Sequence, residues 1–421
     1  MRIAIVGSGI SGLTAAYYLS KKHEVLLFEK DTRLGGHTNT VTTNHYGIEH
    51  AVDTGFIVFN KKTYPNFCHL LNILQVDIQK SDMSFSFSDS EITYNGTNLR
   101  GLFCDKSNII NPVFLKMLKN IISFNLKAKR NLRCQESLQS FLLNHSYDKF
   151  FINKYLLPLC SAIWSSDTKN ILQYPCCFLF QFMDNHGLLN IIDRPTWYTI
   201  KGGSKNYIEK IMKSSEIDLH LCEPVEKVKT YPTLSLQTHK GKYKVDKIIL
   251  ACHSNQASEL LPFSHPAKES LTKISYTHNN VLLHTDISIL PLNQKAWAAW
   301  NFSVRPHNNL ITYYLNYLHK IDRSQPLLVS LNAEEFIDPA KVLYKTSYEH
   351  PLYDNGTLTQ QKKLRKKNGV DCVYFAGAYM GHGFHEDGVN SALTILQDLD
   401  CLPPNHMFQF RQGTNRTKQG V

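Results

Sequence analysis

The chain has 421 residues, of which 43% are hydrophobic, 11% aromatic and 19% charged. This composition excludes a disordered chain, a collagen-like repeat and a coiled coil, and the length fits two or three domains of about 150 residues each. The formal charge of +11 suits nucleic acid or an anionic surface, but lysines spread along the whole chain favour compositional drift over a dedicated patch.

The first predicted element is a strand over Arg2–Val6, a continuous apolar run of the kind found in parallel strands that are covered on both faces. Gly7, Gly9 and Gly12 follow it as G-x-G-x-x-G and lead into a predicted helix over Leu13–Ser20. In that order, such glycines make the tight turn, let a pyrophosphate approach the backbone and let the helix pack closely on the strands. The start of the helix then faces the negative charge.

A second apolar strand is predicted over Glu24–Phe28, and Glu29 follows it, 20 positions after Gly9. A carboxylate there accepts hydrogen bonds from the adenosine ribose and repels a 2′-phosphate. A glycine motif alone is weak, but the order strand, glycines, helix, strand and Glu within about thirty residues is specific. The pattern therefore predicts a dinucleotide site for FAD or NAD rather than NADP.

The segment after this unit favours FAD. Arg33–Thr38 reads Arg-Leu-Gly-Gly-His-Thr, and Asp53–Gly55 reads Asp-Thr-Gly after another strand-like stretch. Gly35 and Gly36 allow a loop to wrap a pyrophosphate, and Arg33 can neutralise it. R-x-G-G after the ribose Glu resembles the extended FAD fingerprint of the flavin amine oxidase, phytoene desaturase and protoporphyrinogen oxidase superfamily. The resemblance implies FAD and an α/β fold, in which a Rossmann-like FAD/NAD(P)-binding domain carries a discontinuous α+β substrate domain.

Later segments resemble the parts of the family's chain that re-enter the FAD domain after the substrate-domain insert. Val225 matches the position beside the adenine, and the start of the last helix is implied to face the flavin pyrimidine and to stabilise negative charge there. The family usually has Asp or Glu to hold the ribityl chain where this chain has Ala378, a departure that does not cancel FAD binding. The matching segments are Lys201–Ser204 with a predicted helix over Lys205–Met212, Leu219–Val228, Lys244–Cys252, Val373–Ala378 and Gly381–Ala392.

Together with Ala378, four motifs resemble one bacterial branch of FAD-dependent amine-oxidase-like proteins. They lie at Asp53–Asn60, Tyr64–Phe67, Asn185–Leu189 and Gly381–Gly388. That branch is associated with cyclopropane fatty-acid synthases, and the same flavin unit is fused to such enzymes in plants. The resemblance covers about residues 1–400.

The residues expected to hold FAD follow from these motifs. They are Gly7, Gly9, Ile10, Ser11, Gly12, Glu29, Lys30, Arg33, Gly35, Gly36, His37, Thr38, Thr54, Gly55, Phe56, Val225, Ala251, Gly377, Ala378, Gly388, Val389 and Ala392.

Catalytic residues are predicted by proximity alone, because no residue stands out as a general base. Phe56 and Tyr64 follow the Asp-Thr-Gly motif, where the chain is expected to run beneath the flavin. His382 and His385 precede the last helix, and an imidazole with a pKa near 6.5 can shuttle a proton near neutral pH. Asn60, Phe384 and Glu386 lie in the same two stretches.

Segments that touch one cofactor must fold together, so the FAD domain is predicted to comprise 1–80, 200–285 and 355–402, with a substrate domain over 81–199 and 286–354 and a loose tail over 403–421. The first insert reads as mainly helical. One helix is expected to begin at Asn111-Pro112 with Val113, Phe114, Met117, Leu118, Ile121 and Ile122 on its apolar side. In the second insert, alternation over Leu310–Leu318 predicts a strand.

Other chemistries have little support in the sequence. His382 and His385 lie on a glycine-rich turn rather than one helical face, so we expect no metal site. The chain has no nucleophile elbow and no Walker loop. The basic run over Lys362–Lys367 has no accompanying groove-reading motif, so a solvated face is favoured over nucleic-acid binding.

Three functions stay open. The first is hydride transfer between a substrate carbon and flavin N5 on an apolar, fatty-acyl or lipid-like substrate. It draws on the association with cyclopropane fatty-acid synthases, on the apolar and aromatic residues of the substrate domain, and on the basic segment 112–130. That segment suits an anionic membrane surface, but a core helix with Lys at its ends is the favoured interpretation. The second is amine oxidation with peroxide release, disfavoured by the +11 charge and the few carboxylates near Tyr379 and Phe384. The third keeps FAD as a structural or isomerase cofactor in a complex.

The ten cysteines have irregular spacing and no C-x-x-C pair. This pattern predicts neither a zinc site nor a disulfide framework. Adjacent Cys176 and Cys177 are expected to be buried apolar fillers rather than a redox pair. Reduced thiols fit a cytoplasmic protein, with peripheral contact at the inner membrane face if segment 112–130 is not core. No stretch reaches the roughly 18 apolar residues of a membrane span, and the first residues read as a strand rather than a signal peptide.

Overall fold

The computed structural model describes residues 1–45, 47–305 and 308–402, so the tail predicted over 403–421 lies outside the described residues. The strands are β1 (Arg2–Val6), β2 (Glu24–Glu29), β3 (Thr40–His45), β4 (Ile48–Asp53), β5 (Phe59–Asn60), β6 (Ile78–Ser81), β7 (Phe85–Ser88), β8 (Thr93–Asn95), β9 (Trp197–Ile200), β10 (Asp218–Leu221), β11 (Val225–Lys229), β12 (Ser235–Thr238), β13 (Gly241–Lys244), β14 (Lys247–Leu250), β15 (Tyr276–His284), β16 (Trp300–Arg305), β17 (Asn308–Tyr314), β18 (Leu328–Leu331), β19 (Val342–Pro351) and β20 (Val373–Phe375). The helices are α1 (Ile10–Leu19), α2 (Pro65–Ile73), α3 (Leu99–Leu102), α4 (Pro112–Arg130), α5 (Leu138–Asn144), α6 (Lys149–Phe151), α7 (Leu157–Trp164), α8 (Thr168–Leu172), α9 (Cys176–Asn185), α10 (Lys205–Lys213), α11 (Ser254–Leu260), α12 (Lys268–Thr272), α13 (Leu315–His319), α14 (Asn355–Lys367) and α15 (His385–Asp398).

A five-stranded parallel sheet with the order β10-β2-β1-β14-β20 forms the nucleotide-binding half. Alternate side chains of β1 enter two cores because successive residues of a strand point to opposite faces. Ile3 and Ile5 pack with helices α1, α2, α10 and α15. Ala4 and Val6 pack on the other face with α11, α12, α14 and the β11–β13 sheet. The Rossmann-like α/β architecture predicted from the sequence is therefore confirmed.

A second sheet of seven strands, in the order β19-β15-β18-β17-β16-β7-β8, carries the other half. Its pairs are antiparallel except for β16 with β7. The helical insert α4–α9 packs on one face and shares a hydrophobic core with it. Strand β15 pairs in this sheet, although the sequence placed residues up to 285 in the FAD domain.

Helix α4 forms where the sequence predicted it. The side chain of Asn111 caps it by accepting hydrogen bonds from the backbone N–H groups of Val113 and Phe114. The predicted apolar side is only partly right. Phe114 and Met117 are buried, whereas Val113 and Ile122 are 44% and 47% exposed. The buried face continues through Phe124, Asn125 and Ala128 instead.

The predicted strand over Leu310–Leu318 is correct only as far as Tyr314, where β17 ends and α13 begins. Asn316 explains the turn, because its side chain accepts a hydrogen bond from the backbone N–H of Leu327 and donates to backbone carbonyls of the following loop.

All ten thiols are unpaired. None of the described helices combines the length and apolar character needed to cross a bilayer.

Candidate active site

The glycine turn between β1 and α1 leaves open space at one residue only. A Cβ on Gly7 would lie 2.9 Å from the carbonyl oxygen of Ala251, and a Cβ on Gly12 would lie 1.9 Å from that of Gly7. A Cβ on Gly9 would meet no protein atom within 4 Å. Gly7 and Gly12 are thus needed for packing, while Gly9 borders the space that the sequence assigned to a pyrophosphate.

Glu29 lies at the carboxyl end of β2, beside that turn. The residue is buried, with 8% of its surface exposed. Its carboxylate accepts hydrogen bonds from the N–H and Oγ of Ser8, at 2.9 and 2.5 Å, and from the N–H of Asp31 at 3.0 Å. These contacts fix the carboxylate at the edge of the sheet where ligands of open α/β folds bind. Lys30 beside it is exposed.

The loop over 33–38 folds back onto the glycine turn. The N–H of Gly35 donates to the carbonyl and the Oγ of Ser8, both at 3.1 Å. The guanidinium of Arg33 donates to the carbonyls of Gly36 and Thr38, at 2.8 and 3.1 Å. Arg33 therefore braces the loop in the structure, and its predicted contact with a pyrophosphate stays a prediction.

The first turns of α1 and α15 meet at this loop. A Cβ on Gly388 would lie 2.7 Å from Cγ2 of Ile10 and 2.9 Å from Oγ of Ser11, so the two helices need a glycine where they cross. Two helix N-termini thus point their partial positive charge at one region. That arrangement suits an anionic cofactor.

His385, the first residue of α15, contacts two predicted site residues, Phe56 and Thr38, and a tyrosine. Its ring stacks on Phe56 with centroids 3.5 Å apart, and its Nε2 lies 3.0 Å from Oγ1 of Thr38 and 3.4 Å from the hydroxyl of Tyr207. Burial lowers the pKa of His385 to about 3. A pKa this low keeps the imidazole unprotonated throughout the neutral range, so the structure does not support the proton shuttle expected from an ordinary pKa near 6.5, and the catalytic role of His385 stays a prediction.

The other two predicted catalytic residues lie against different aromatic groups. The ring of His382 stacks on Phe178 of the helical insert, with centroids 4.6 Å apart. Tyr64 immediately precedes α2 and packs edge-on against His186, at 6.0 Å. The structure therefore brings Phe56 and His385 into contact. From Phe56, ring contacts run through Phe59, Tyr64, His186 and Phe182 to His382, and we call this run the aromatic wall.

Carboxylates close to the start of α15 are engaged by backbone amides. Glu386 accepts hydrogen bonds from the N–H groups of Asn66 and Phe67, at 3.0 and 2.9 Å. Asp387 accepts one from the N–H of Phe384, at 3.1 Å. These acidic groups tie α15 to the start of α2 and cap its own first turn.

A cluster of imidazoles and a tyrosine was missed by the sequence reasoning. The ring of His37 lies 4.9 Å from Tyr348, 5.2 Å from His350 and 5.7 Å from His253. Burial lowers the pKa of His350 to about 4. Tyr348 and His350 come from β19, and no motif in that strand distinguishes them from ordinary strand residues.

A cavity of about 500 Å³ lies between α7–α8 and the seven-stranded sheet. Phe302, Ile311 and Leu331 form an apolar floor on the sheet, and Ser161 and Asn279 are among its polar walls. Ser161 is 2% exposed, and its hydroxyl has no hydrogen-bond partner among the described residues.

This cavity adjoins the cofactor loop through two contacts. The side-chain amide nitrogen of Asn279 lies 3.2 Å from Nδ1 of His350, and the ring of His350 packs against His37, which follows the Gly-Gly pair of the loop. The side chains of Asn279 and His350 therefore separate a ligand in the cavity from the loop.

The residues present fit a large dinucleotide such as FAD. Besides the open space at Gly9, the buried hydroxyls of Tyr353 and Tyr379 are among those that have no hydrogen-bond partner in the part of the chain that the structure describes. Tyr353 approaches Gly383, just before α15, and Tyr379 follows the Gly377-Ala378 pair. Unpaired buried hydroxyls are costly, so they indicate a polar group that is missing from the protein alone.

Comparison with known proteins gives a family and a fold. Residues 10–309 match the model of a family described as flavin containing amine oxidoreductase. A 47-residue segment, 11% of this chain, is 49% identical to an L-amino acid oxidase of Cerastes cerastes, and it spans 9% of that relative's length.

Solved structures extend the likeness to almost the whole chain. One assigned as a protoporphyrinogen oxidase, from Exiguobacterium sp. 255-15, superposes with a TM-score of 0.70 at 16% identity and covers 95% of this chain and 98% of its own. A CLA-producing fatty acid isomerase from P. acnes gives 0.67 at 13%, covering 94% and 98%. Cyclohexylamine oxidase from Brevibacterium oxydans gives 0.67 at 13%, covering 95% and 99%. At these identities the structures show a shared fold.

Proposed function

We propose that this chain, which belongs to the flavin-containing amine oxidoreductase family and is an FAD-dependent oxidoreductase, acts on a carbon of an apolar, fatty-acyl or lipid-like substrate. When bound, FAD supplies the site that accepts or returns a hydride. The residues that would hold it are those of the glycine turn, Glu29, the loop over 33–38 and the start of α15. The superfamily predicted from the R-x-G-G motif is confirmed, and the branch associated with cyclopropane fatty-acid synthases stays a prediction.

The observation that favours an uncharged reacting group is that the carboxylates beside Phe56 and His385 are already engaged within the protein. Glu386 and Asp387 are engaged by backbone N–H groups. Burial keeps His350 and His385 neutral, with pKa values of about 4 and about 3. A substrate ammonium needs a carboxylate available to it or an exposed aromatic cage. The described residues around Phe56 and His385 favour a neutral carbon chain instead.

The cavity next to Asn279 is the place we propose for the substrate. Its volume of about 500 Å³ lies within the range of small-molecule sites. Most of its lining residues are polar, and Phe302, Ile311 and Leu331 form the apolar floor that would take a carbon chain, while the hydroxyl of Ser161 and the charge of Arg305 suit a polar end group. The lining thus orients the substrate by its polar end group, and the reacting carbon would extend past Asn279 and His350 toward the cofactor.

Amine oxidation is the second candidate function. The family description names amines, and cyclohexylamine oxidase shares the fold. A third candidate, a reaction without net oxidation, draws on the fatty acid isomerase that also shares it.

One experiment separates the three. The purified holoprotein is mixed without oxygen with simple amines and, separately, with phospholipids that carry unsaturated, methylated or cyclopropane acyl chains, and the visible absorbance of the flavin is followed. We expect bleaching by one acyl class and none by amines. Bleaching by amines, with peroxide on admitting air, supports the second function. Flavin that no compound bleaches while the acyl chain is isomerised supports the third.

Filling the cavity is expected to weaken substrate binding selectively. Thr277 lines the cavity, and the next residue of β15, His278, is exposed because strand side chains alternate between faces. Thr277→Trp should raise the acyl substrate concentration for half-maximal bleaching by about tenfold or more, since a filled site costs roughly 1–3 kcal/mol. The control His278→Trp should leave it unchanged. Equal behaviour of the two variants would remove this cavity from the proposal.

His385→Ala is expected to leave FAD bound and to lower turnover by about 10²-fold, the cost of slight misplacement of reacting groups. The imidazole positions Phe56 and Thr38 rather than moving a proton, so the wild-type turnover profile should show no inflection from this residue between about pH 5 and pH 8. Absorbance reports the bound cofactor and steady-state rates report turnover. A wild-type inflection near pH 6.5 that disappears in the variant would restore the proton shuttle.

A further inference from the structure

The positive charge of the chain is concentrated in one part of the helical insert. Residues 98–133 contain eight Lys and Arg residues and a single acidic residue, Asp105, a net charge of +7 out of +11 for the whole chain. Only Lys116 among these eight forms an ion pair within the described residues, with Asp148 at 2.8 Å. The interpretation of the charge as lysines spread along the whole chain is therefore wrong for this segment.

The solvent face of α4 carries apolar residues between the basic ones. Leu115, Ile122 and Leu126 are 37%, 47% and 54% exposed, and Lys119 and Lys129 are exposed between and after them. The spacing of four, three, four and three residues places all five on one stripe of the helix. The opposite stripe is the one buried in the core, whereas Leu115, Ile122 and Leu126 on this face are exposed.

Neighbouring segments extend the same surface. Ile109 and Ile110, 53% and 83% exposed, lie just before Asn111, the residue that caps α4. At its other end Nζ of Lys129 donates to the side chain of Asn190 at 2.5 Å, which brings the exposed pair Ile191 and Ile192, at 59% and 78%, alongside. The α4 surface is defined here as Ile109, Ile110, Leu115, Lys119, Ile122, Leu126, Lys129, Arg130, Ile191 and Ile192.

We propose that the α4 surface docks on an anionic lipid bilayer. Exposed Leu and Ile side chains that protrude between lysines match the way interfacial helices bind, with apolar groups at the acyl boundary and cations at lipid phosphates. A second copy of the chain is a poor occupant, because it would bring this net charge of +7 against another of the same sign. The proposal is independent of the substrate, although it would place the enzyme beside acyl chains.

Vesicle binding tests the proposal with the full holoprotein. Phosphatidylcholine vesicles with and without phosphatidylglycerol are sedimented with the wild type and with two variants. I122E/L126E removes two exposed apolar groups of the α4 surface. Its matched control, F263E/L292E, removes two apolar groups of 95% and 104% exposure elsewhere. We expect wild-type binding only with phosphatidylglycerol, at least about tenfold weaker binding for I122E/L126E, and no change for the control.

Removing charge gives a second measurement that does not depend on the first variant folding. K119Q/K129Q/R130Q should weaken binding by roughly 100-fold, since each cation near an anionic surface contributes about fivefold, whereas K229Q/K242Q/K366Q, which changes three exposed lysines elsewhere, should not. Binding should fall between about 0.05 and about 0.5 M salt. No wild-type binding at low salt, or equal loss in both triple variants, overturns the proposal. So does a dimer in sedimentation that I122E/L126E abolishes.

Discussion

Gly9→Ala is expected to give a folded but colourless protein. Gly9 has φ −64° and ψ 176°, a conformation that alanine adopts freely, and its added methyl would touch no protein atom. The methyl would instead enter the open space at the start of α1, where a pyrophosphate must approach the backbone. Overpacking of a tight contact costs about 1–3 kcal/mol or more, so FAD affinity should fall by about 10²-fold. Visible absorbance after purification and titration with FAD measure the loss.

Two further substitutions act as controls for this result. Gly12→Ala would place Cβ 1.9 Å from the carbonyl oxygen of Gly7, so it should damage the fold itself and lower the unfolding temperature. Glu29→Ala removes the acceptor for Ser8 and Asp31 as well as a ribose contact, and should weaken FAD by roughly 10- to 150-fold, with rescue by excess FAD. Gly9→Ala protein that is isolated yellow, with wild-type affinity, would contradict the assignment of this turn.

The nucleotide-binding half was predictable because its determinants are close in sequence. Gly7, Gly9, Gly12 and Glu29 form one strand–helix–strand unit, and the backbone geometry of that unit admits few residue types at each position. The structure then adds a distinction that the motif does not contain. Gly7 and Gly12 are required by contacts within the protein, whereas the space beside Gly9 is left open.

Contacts between distant segments were not predictable. Asp53 is fully buried and accepts hydrogen bonds from the N–H and Oγ of Ser204, at 2.9 and 2.6 Å, and from Oγ1 of Thr40 at 2.5 Å. The sequence placed Asp53 and Ser204 in cofactor motifs but gave no sign that the Asp53 carboxylate joins them. His350 lies in the edge strand β19 and Asn279 in its neighbour β15. No local sequence pattern marks these two residues as the ones that separate the loop over 33–38 from the cavity.

The faces of α4 show a third kind of limit. Periodicity predicted the helix and its start correctly, but several apolar residues lie on both sides of it, so the pattern alone could not decide which side is core. Val113 and Ile122 were assigned to the buried side and are exposed. Burial is decided by Phe124 and Ala128, which pack into the shared core of the insert and the seven-stranded sheet.

Acidification from pH 6 to pH 5 is expected to remove roughly 3 kcal/mol of stability through three buried histidines alone. Burial lowers the pKa of His284 and His350 to about 4 and that of His385 to about 3, against about 6.5 in the unfolded chain. In this window the unfolded chain takes up protons that the folded chain does not, so stability is lost as pH falls below about 6.5 and the loss ends near the folded pKa values. The depressed pKa of Glu223, about 2, acts only below about pH 4.5.

His284→Gln isolates one of these protons away from the flavin site. His284 is fully buried in β15, where Nε2 lies 2.8 Å from Oγ of Ser330 and Nδ1 accepts the N–H of Asp286 at 3.1 Å. Glutamine does not titrate, so the variant should lose roughly 1 kcal/mol less than the wild type per pH unit between pH 6 and pH 5, whatever its stability at pH 7. Denaturant unfolding at several pH values measures the slope. His278→Gln, at an exposed position of the same strand, should keep the wild-type slope, and an unchanged slope in His284→Gln would show that this imidazole is protonated in the folded protein.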